Sequence, residues 1–352
     1  MIRRVRTVDV HVAGQVLRLI ADGFPSPEGV TMFEKETFLR RSQDQLRCAL
    51  MQEPRGHSGM SGALLTESVS DGADAGMIFM HSGGYSSMSG QGVIGGVTVA
   101  LEYGLLQLSD PTREIVLDTV AGVVHAKALP LPPSRVDRIA SSPGVERQLS
   151  RSSRFVESVS FRNVPSFVLQ GGVEVEINGR PFLVDVAFGG EFFAITDAES
   201  AGVQIRRDQL HELRTLNALI KDSVERLVDV VHPTDSRVRG LCGTIFTGVA
   251  EQAGADLRSV TVFSGDHIDR SPCCTATAAV MSVLDEMDVL GIGQQFRQEG
   301  ILGTSICGTV ESREAVGDRL AIVPRIEDSA WVIGEHEFLI DDSDPSVKGF
   351  LL

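Results

Sequence analysis

Aromatic side chains are scarce. They make up 5% of the 352 residues, with one Trp and two Tyr. That is thin for a stacking platform that holds single-stranded nucleic acid. Positive charge is also in deficit: 32 Lys and Arg against 47 Asp and Glu leave a formal net charge of −15. Such a chain repels phosphate backbones and anionic lipids, so neither nucleic acid nor a membrane surface is an expected partner. Cysteines are few and show no pairing pattern. Cys48, Cys242, Cys273, Cys274 and Cys307 form no CxxC pair and no Cys/His set at zinc spacing, so no metal is expected. An odd number of thiols fits a reducing cytoplasm, the expected location. Three Arg lie within the first six residues, but the apolar stretch of a signal peptide does not follow them. Met77–Leu101 carries no charge over 25 residues, yet it holds six Gly, several Ser, His81 and Gln91. It reads as a buried strand, a loop and a buried helix rather than a membrane span.

What remains is ordinary globular material, 42% hydrophobic and 22% charged. Its length suggests about two domains at roughly 150 residues each. Val5–Val12 reads as a strand and Met32–Leu50 as a charged amphipathic helix. Glu114–Val120 and Val123–Leu129 read as strands around the Ala121-Gly122 turn. Leu129–Ser134 is Pro-rich and reads as a crossover between domains. Val173–Ala187 reads as strand broken at Asn178-Gly179. A charged helix is expected at about Arg207–Val228, another helix after Pro272, and strands through Phe338.

One long-range repeat stands out. Each half holds a turn followed by a helix of small and apolar residues, the first from Ser89 to Leu101 and the second from Cys273 to Leu284. A helix apolar on every face must be buried all round. Two such helices, each wrapped by strands, imply two similar α/β lobes.

The starts of these helices carry the chemistry. A helix start presents four N–H groups without intrahelical partners and a partial positive charge of about half a unit. That suits a carboxylate ligand and lowers the pKa of a thiol placed there. If the two starts face each other, a small acid lies between them, addressed at Cα by Ser89 and Cys273. The plainer reading is a Ser helix cap at 89 and a core thiol at 273, and composition alone leaves both open.

The motifs decide further. Asp9–Gly14 (DVHVAG), Glu53–His57 (EPRGH), Met88–Gly92 (MSGQG), Asp118–Gly122 (DTVAG) and Asp269–Thr277 (DRSPCCTAT) resemble the signature segments of the proline racemase family. Gly291–Gly293 and Gly303-Thr304 fit the stretch after the second helix. The resemblance covers essentially the whole chain, and the segment at 269–277 is its most specific part. The family comprises proline racemases, 4-hydroxyproline 2-epimerases and trans-3-hydroxy-L-proline dehydratases.

The resemblance implies an α/β (α+β) fold like that of diaminopimelate epimerase. Two lobes each wrap strands around one central helix, with the active site in the cleft between them. The expected division puts residues 1–133 and about 330–352 in the first lobe and 134–329 in the second. It also implies direct proton transfer at Cα without a cofactor, on a small imino acid. Ser89 and Cys273 are the expected catalytic pair. Gly90, Gln91, Cys274 and Thr275 are expected to bind the substrate carboxylate through helix-start amides, and Asp269 to grip the ring ammonium. The oligomeric state is left open, a homodimer among the options.

The departures from the family pattern matter. Racemases and epimerases carry Cys at the position of Ser89, and a hydroxyl is too weak an acid for easy proton exchange with Cα. The family His is Gln91, and Cys274 and Ala276 replace glycines. Dehydration needs one base and an acid for the leaving hydroxyl, so an unequal pair suits it. Leu241–Gly248 (LCGTIFTG) also resembles a dehydratase strand and lacks the His of the 4-hydroxyproline epimerases. Dehydration of trans-3-hydroxy-L-proline to Δ1-pyrroline-2-carboxylate is therefore the expected reaction, with epimerase or racemase activity as the alternative. Acidity at the helix start favours Cys273 as base, and family dehydratases with Cys first and Thr second favour Ser89, so the direction stays open. Cys274 reads as a packing residue or a redox-sensitive neighbour. Arg55, His57 and His81 are either structural or near the site, and Phe263 corresponds to a ring-pocket position.

Overall fold

A computed structural model describes residues 2–108, 110, 113–132, 156–265 and 267–351. The chain divides into two compact units. One comprises Met1–Val12, Val16–Phe161 and Glu327–Leu352, and the other comprises Ala13–Gln15 and Arg162–Ile326.

In the first unit the chain runs β1 (Ile2–Val12), β2 (Gln15–Asp22), α1 (Met32–Ser42), α2 (Asp44–Met51), β3 (Ser61–Thr66), β4 (Ala75–His81), β5 (Gly84–Ser86), α3 (Gly90–Glu102), β6 (Ile115–Thr119), β7 (Gly122–Pro130) and β8 (Val156–Arg162). The second unit holds β9 (Phe167–Ile177), β10 (Arg180–Phe188), β11 (Phe192–Asp197), α4 (Leu210–Leu227), β12 (Gly243–Gly248), β13 (Leu257–Phe263), α5 (Cys274–Glu286), β14 (Gln295–Glu299), β15 (Ser305–Val316) and β16 (Arg319–Asp328). The chain then returns to the first unit as β17 (Ala330–Asp341), antiparallel to β1.

The pairings repeat. In the first unit β2 lies parallel to β3, β3 antiparallel to β4, β4 parallel to β6 and β6 antiparallel to β7. In the second, β11 lies parallel to β12, β12 antiparallel to β13, β13 parallel to β14 and β14 antiparallel to β15. Parallel neighbours need a long crossover, usually helical. Here α1 and α2, then α3, supply it in the first unit, and α4, then α5, supply it in the second. Each unit is thus the same strand and helix program run once, and the helix of its second crossover is the one the sequence marked as apolar on all sides.

Every residue of α3 is buried. Glycine permits this: a Cβ on Gly92 would come within 2.5 Å of two ring atoms of Phe79, which β4 buries against the helix. In α5 alanines at 276, 278 and 279 serve the same end. Around α4 the buried stripe is Leu213, Leu216, Asn217, Ile220 and Val224, with its charges outward. That is the solvated amphipathic helix expected from spacing.

The Asn178-Gly179 turn joins β9 to β10, both residues with positive φ (54° and 75°), as the hairpin reading required. The Met32–Leu50 helix is in fact two, interrupted at Gln43, whose ψ of 9° and amide bond to Leu39 close α1. Leu129 and Pro130 belong to β7 rather than to a linker. The rest of that Pro-rich stretch, from 133, lies outside the described residues. Among the described residues no helix is long and apolar enough to cross a membrane.

Candidate active site

In the first unit the candidate centre is the start of α3. Ser89 is extended (φ −148°, ψ 111°) and its Oγ accepts the Gly92 amide at 3.1 Å. Ser89 is therefore an N-cap, as the plainer sequence reading held. Its oxygen already accepts one hydrogen bond from the helix, which makes it a poorer base and leaves its own hydroxyl hydrogen to be donated. Gly90 and Gln91, the next two residues, are buried.

The hairpin that delivers Ser89 is fastened by a cation. Arg47 of α2 donates to the carbonyls of His81 and Ser82 at 2.7 and 2.9 Å, and both its other nitrogens reach the Asp44 carboxylate. Burial and the nearby charges of Arg47 and Arg40 hold the His81 imidazole below its usual pKa, so it is neutral at pH 7. Its Nδ1 accepts the Gly83 amide. His57 does the same for Gly59, and Arg55 pairs with Asp344 at 3.0 Å. All three residues thus have local structural work. Asp9, in the first motif, forms a buried two-pronged ion pair with Arg18 at 2.8 and 2.9 Å.

In the second unit the centre is the turn before α5. Asp269 is buried, and its Oδ1 accepts both the amide and the hydroxyl of Ser271, each at 2.8 Å. Ser271 Oγ in turn accepts the Cys273 amide at 3.1 Å. Cys273 occupies φ 68°, ψ 119°, a region non-glycine residues rarely enter and one that costs about 1–3 kcal/mol. Its neighbours hold it there: the amide is held by Ser271, and the carbonyl accepts both the Thr277 amide and the Thr277 hydroxyl at 2.8 Å. Ser271 was not singled out from the sequence. The Asp-x-Ser spacing was the available signal, since an Asp side chain commonly accepts the amide two residues on.

The thiol departs from expectation. Burial foremost, and then the adjacent Asp269 carboxylate, push Cys273 up to about 12. Hydrogen bonds from Thr275, whose Oγ1 lies 3.2 Å from the sulfur, and from the Ala276 amide pull it back only in part. The helix start alone was expected to lower it. The physical reason for the correction is that full desolvation next to a carboxylate outweighs two hydrogen bonds. Burial likewise raises Asp269, against the Ser271 bonds that lower it. A cation placed between them would favour both charged forms. Cys274 is fully buried and Thr275 nearly so, as packing residues would be. Phe263 stacks on His267 at 5.8 Å and meets the Phe193 ring edge-on at 6.2 Å.

A tight turn covers the first turn of α5. Gly189 sits so close that a Cβ there would lie 2.2 Å from the Thr275 carbonyl oxygen and 2.6 Å from the Ala279 amide. Backbone atoms cannot swing aside, so Gly189→Ala is expected to destabilise the protein by about 1–3 kcal/mol. A melting temperature equal to that of the wild type would show that the turn does not pack this closely.

Two α+β units of matching topology each present a hydroxyl or a thiol at the start of a buried helix. The proline racemase family profile matches residues 7–139 and 129–351, and the chain belongs to that family. It is 37% identical to a trans-3-hydroxy-L-proline dehydratase of Bacillus cereus, over 98% of this chain and 97% of that protein. It is 34% identical to a proline racemase of Clostridioides difficile, over 99% and 98%. Among solved structures it resembles a hydroxyproline epimerase of Agrobacterium vitis with bound trans-4-hydroxy-L-proline. The TM-score is 0.84 and the identity 26%, over 99% of this chain and 96% of that one. The family thus contains dehydratases as well as racemases and epimerases.

Proposed function

We propose that the protein dehydrates trans-3-hydroxy-L-proline to Δ1-pyrroline-2-carboxylate without a cofactor. One observation carries the choice of dehydration over isomerisation: the pair is unequal. Ser89 is a hydroxyl whose oxygen already accepts a helix amide, while Cys273 is a thiol beside a carboxylate. Isomerisation requires a competent base on each face of the ring. Elimination requires only one.

In this reading the ring ammonium pairs with Asp269. That positive charge cancels the carboxylate's effect on the neighbouring thiol, so substrate binding lowers the Cys273 pKa from its resting position. The thiolate then removes the Cα proton. Enolate-like charge on the substrate carboxylate is stabilised by amides at Gly90, Gln91, Cys274 and Thr275, and Ser89 donates a hydrogen bond. The C3–O bond breaks, water leaves, and the enamine Δ2-pyrroline-2-carboxylate tautomerises to the Δ1 imine. The 37% identity to the Bacillus dehydratase supports the same choice. The racemase and epimerase relatives keep Cα isomerisation of proline or 4-hydroxyproline as the second reading.

The test is product capture with o-aminobenzaldehyde, which colours on meeting the cyclic imine. Trans-3-hydroxy-L-proline is expected to give colour in proportion to enzyme, and cis-3-hydroxy-L-proline and 4-hydroxyproline none. No colour with the first substrate would refute the assignment.

A further inference from the structure

We propose that Glu191 is a second catalytic residue, the acid that protonates the departing 3-hydroxyl. The inference rests on the dehydratase reading above. It begins from stereochemistry. In trans-3-hydroxy-L-proline the carboxylate and the hydroxyl lie on opposite ring faces, so the Cα hydrogen and the hydroxyl lie on the same face. Their loss is a syn elimination. Base and acid must then approach from one side, and a base at Cys273 calls for an acid within its own unit.

Three segments of that unit converge beside the thiol. The Gly189-Gly190 turn packs on the first turn of α5, with the Gly190 Cβ position 3.2 Å from Thr275 Cγ2. Asn163 fixes the turn by donating to the Gly189 carbonyl at 2.9 Å, and the Gly189 amide bonds to the Glu191 carbonyl at 3.1 Å. Directly after Glu191, the Phe192 carbonyl accepts the Cys242 amide at 2.8 Å, and Phe193 pairs with Gly243. Glu191 is thereby placed where β11 begins, next to the start of β12 and above the start of α5.

The electrostatics agree. The Cys242 thiol is held well above its usual pKa, by burial first and then by Glu191 and Cys273. Glu191 and Cys273 thus both act on Cys242 and share it as a neighbour. Asp269 is already occupied by Ser271 and assigned to the ammonium, and Cys242 is too weak an acid. Lys221, whose ammonium pairs with Glu225 at 3.0 Å, faces Cys242 from α4.

The atoms balance. The Cys273 thiolate takes the Cα proton and becomes a thiol. The Cα–H electron pair forms the C2–C3 double bond, and the C3–O pair leaves with oxygen. Glu191 gives its proton to that oxygen and water departs; the Cys273 thiol then releases its proton to solvent and the Glu191 carboxylate takes one up, which restores both groups. The substrate's ammonium favours the thiolate by lowering the thiol.

The test separates proton abstraction from water loss, with proton NMR in D2O on trans-3-hydroxy-L-proline. Glu191→Gln is expected to slow water loss at least 100-fold while Cα deuteration of unreacted substrate continues, a split that a purely structural role would not produce. Water loss near the wild-type rate, or loss of both processes together, overturns the proposal. Should Glu191→Gln fail to fold, Glu191→Asp keeps the carboxyl one methylene short. Its exchange-to-elimination ratio is expected to rise at least tenfold, and an unchanged ratio overturns the role. If wild type itself releases no water, the dehydratase reading falls and takes this inference with it. Wild-type turnover with an unimpaired Gln variant removes the inference alone.

Discussion

Cys273→Ala is expected to lower turnover of trans-3-hydroxy-L-proline by about 10²–10⁴-fold, the usual contribution of a positioned base. The fold should survive the change. What holds residue 273 in its unusual backbone conformation is its amide and carbonyl, bonded to Ser271 and Thr277, and alanine retains both. The neighbouring turn loses the sulfur's hydrogen bonds with Thr275 and the Ala276 amide. Binding of pyrrole-2-carboxylate, a planar mimic of the deprotonated ring, should therefore persist in the variant. Calorimetric titration and initial rates measured together make the comparison. A variant that keeps its rate within fivefold would mean that another group takes the proton. Ser89→Ala forms the contrast. It removes a helix cap, with a cost of about 1 kcal/mol in stability, and is expected to reduce the rate far less than Cys273→Ala.

Asp269→Asn is expected to raise KM and cost kcat/KM about 30-fold or more. Losing one member of a buried, hydrogen-bonded charge pair costs about 2–5 kcal/mol, and each 1.4 kcal/mol is tenfold. Asparagine preserves an oxygen that can accept the two Ser271 hydrogens, so the chain from residue 269 to the Cys273 amide stays intact. A second readout has an independent sign. The Asp269 carboxylate is one of the causes that raise the Cys273 thiol. Its removal therefore lowers that pKa, and the pH at which iodoacetamide alkylates Cys273 half-maximally moves down. A midpoint that stays put or moves up would mean that the carboxylate does not control the thiol.

Much of this fold is legible from patterning. Runs such as Val5–Val12 could be seen as strands because apolar, β-branched residues recur, and the Asn178-Gly179 and Ala121-Gly122 turns mark hairpins by residue type alone. The two buried helices were evident because small and apolar residues occupy every face. The break at Gln43 was not, since neither Gly nor Pro marks it and the residues on both sides favour helix. Pro130 misled in the opposite direction: it is the last residue of β7, beyond the stretch that pairs with β6.

Within the site, residue types were legible and protonation was not. Ser89 and Cys273 stand where spacing put them, each at a helix start. The thiol's raised pKa depends on complete burial and on a carboxylate four residues earlier in the chain, which folding brings into contact. Glu191 lies more than 80 residues before Cys273, and only the parallel pairing of β11 with β12 and the glycine turn at 189–190 bring it near. No local spacing could have announced it.

The most direct test of the central claim is a competition in one tube. Trans-3-hydroxy-L-proline, trans-4-hydroxy-L-proline and L-proline are mixed at equal concentration in D2O with enzyme and followed by proton NMR. Selective disappearance of the 3-hydroxy compound, with pyrroline carboxylate signals growing and the Cα protons of the other two intact, is the expected result. Cα deuteration of 4-hydroxyproline or proline, with the 3-hydroxy compound untouched, would contradict it and make Ser89 an activated base in a two-base isomerase.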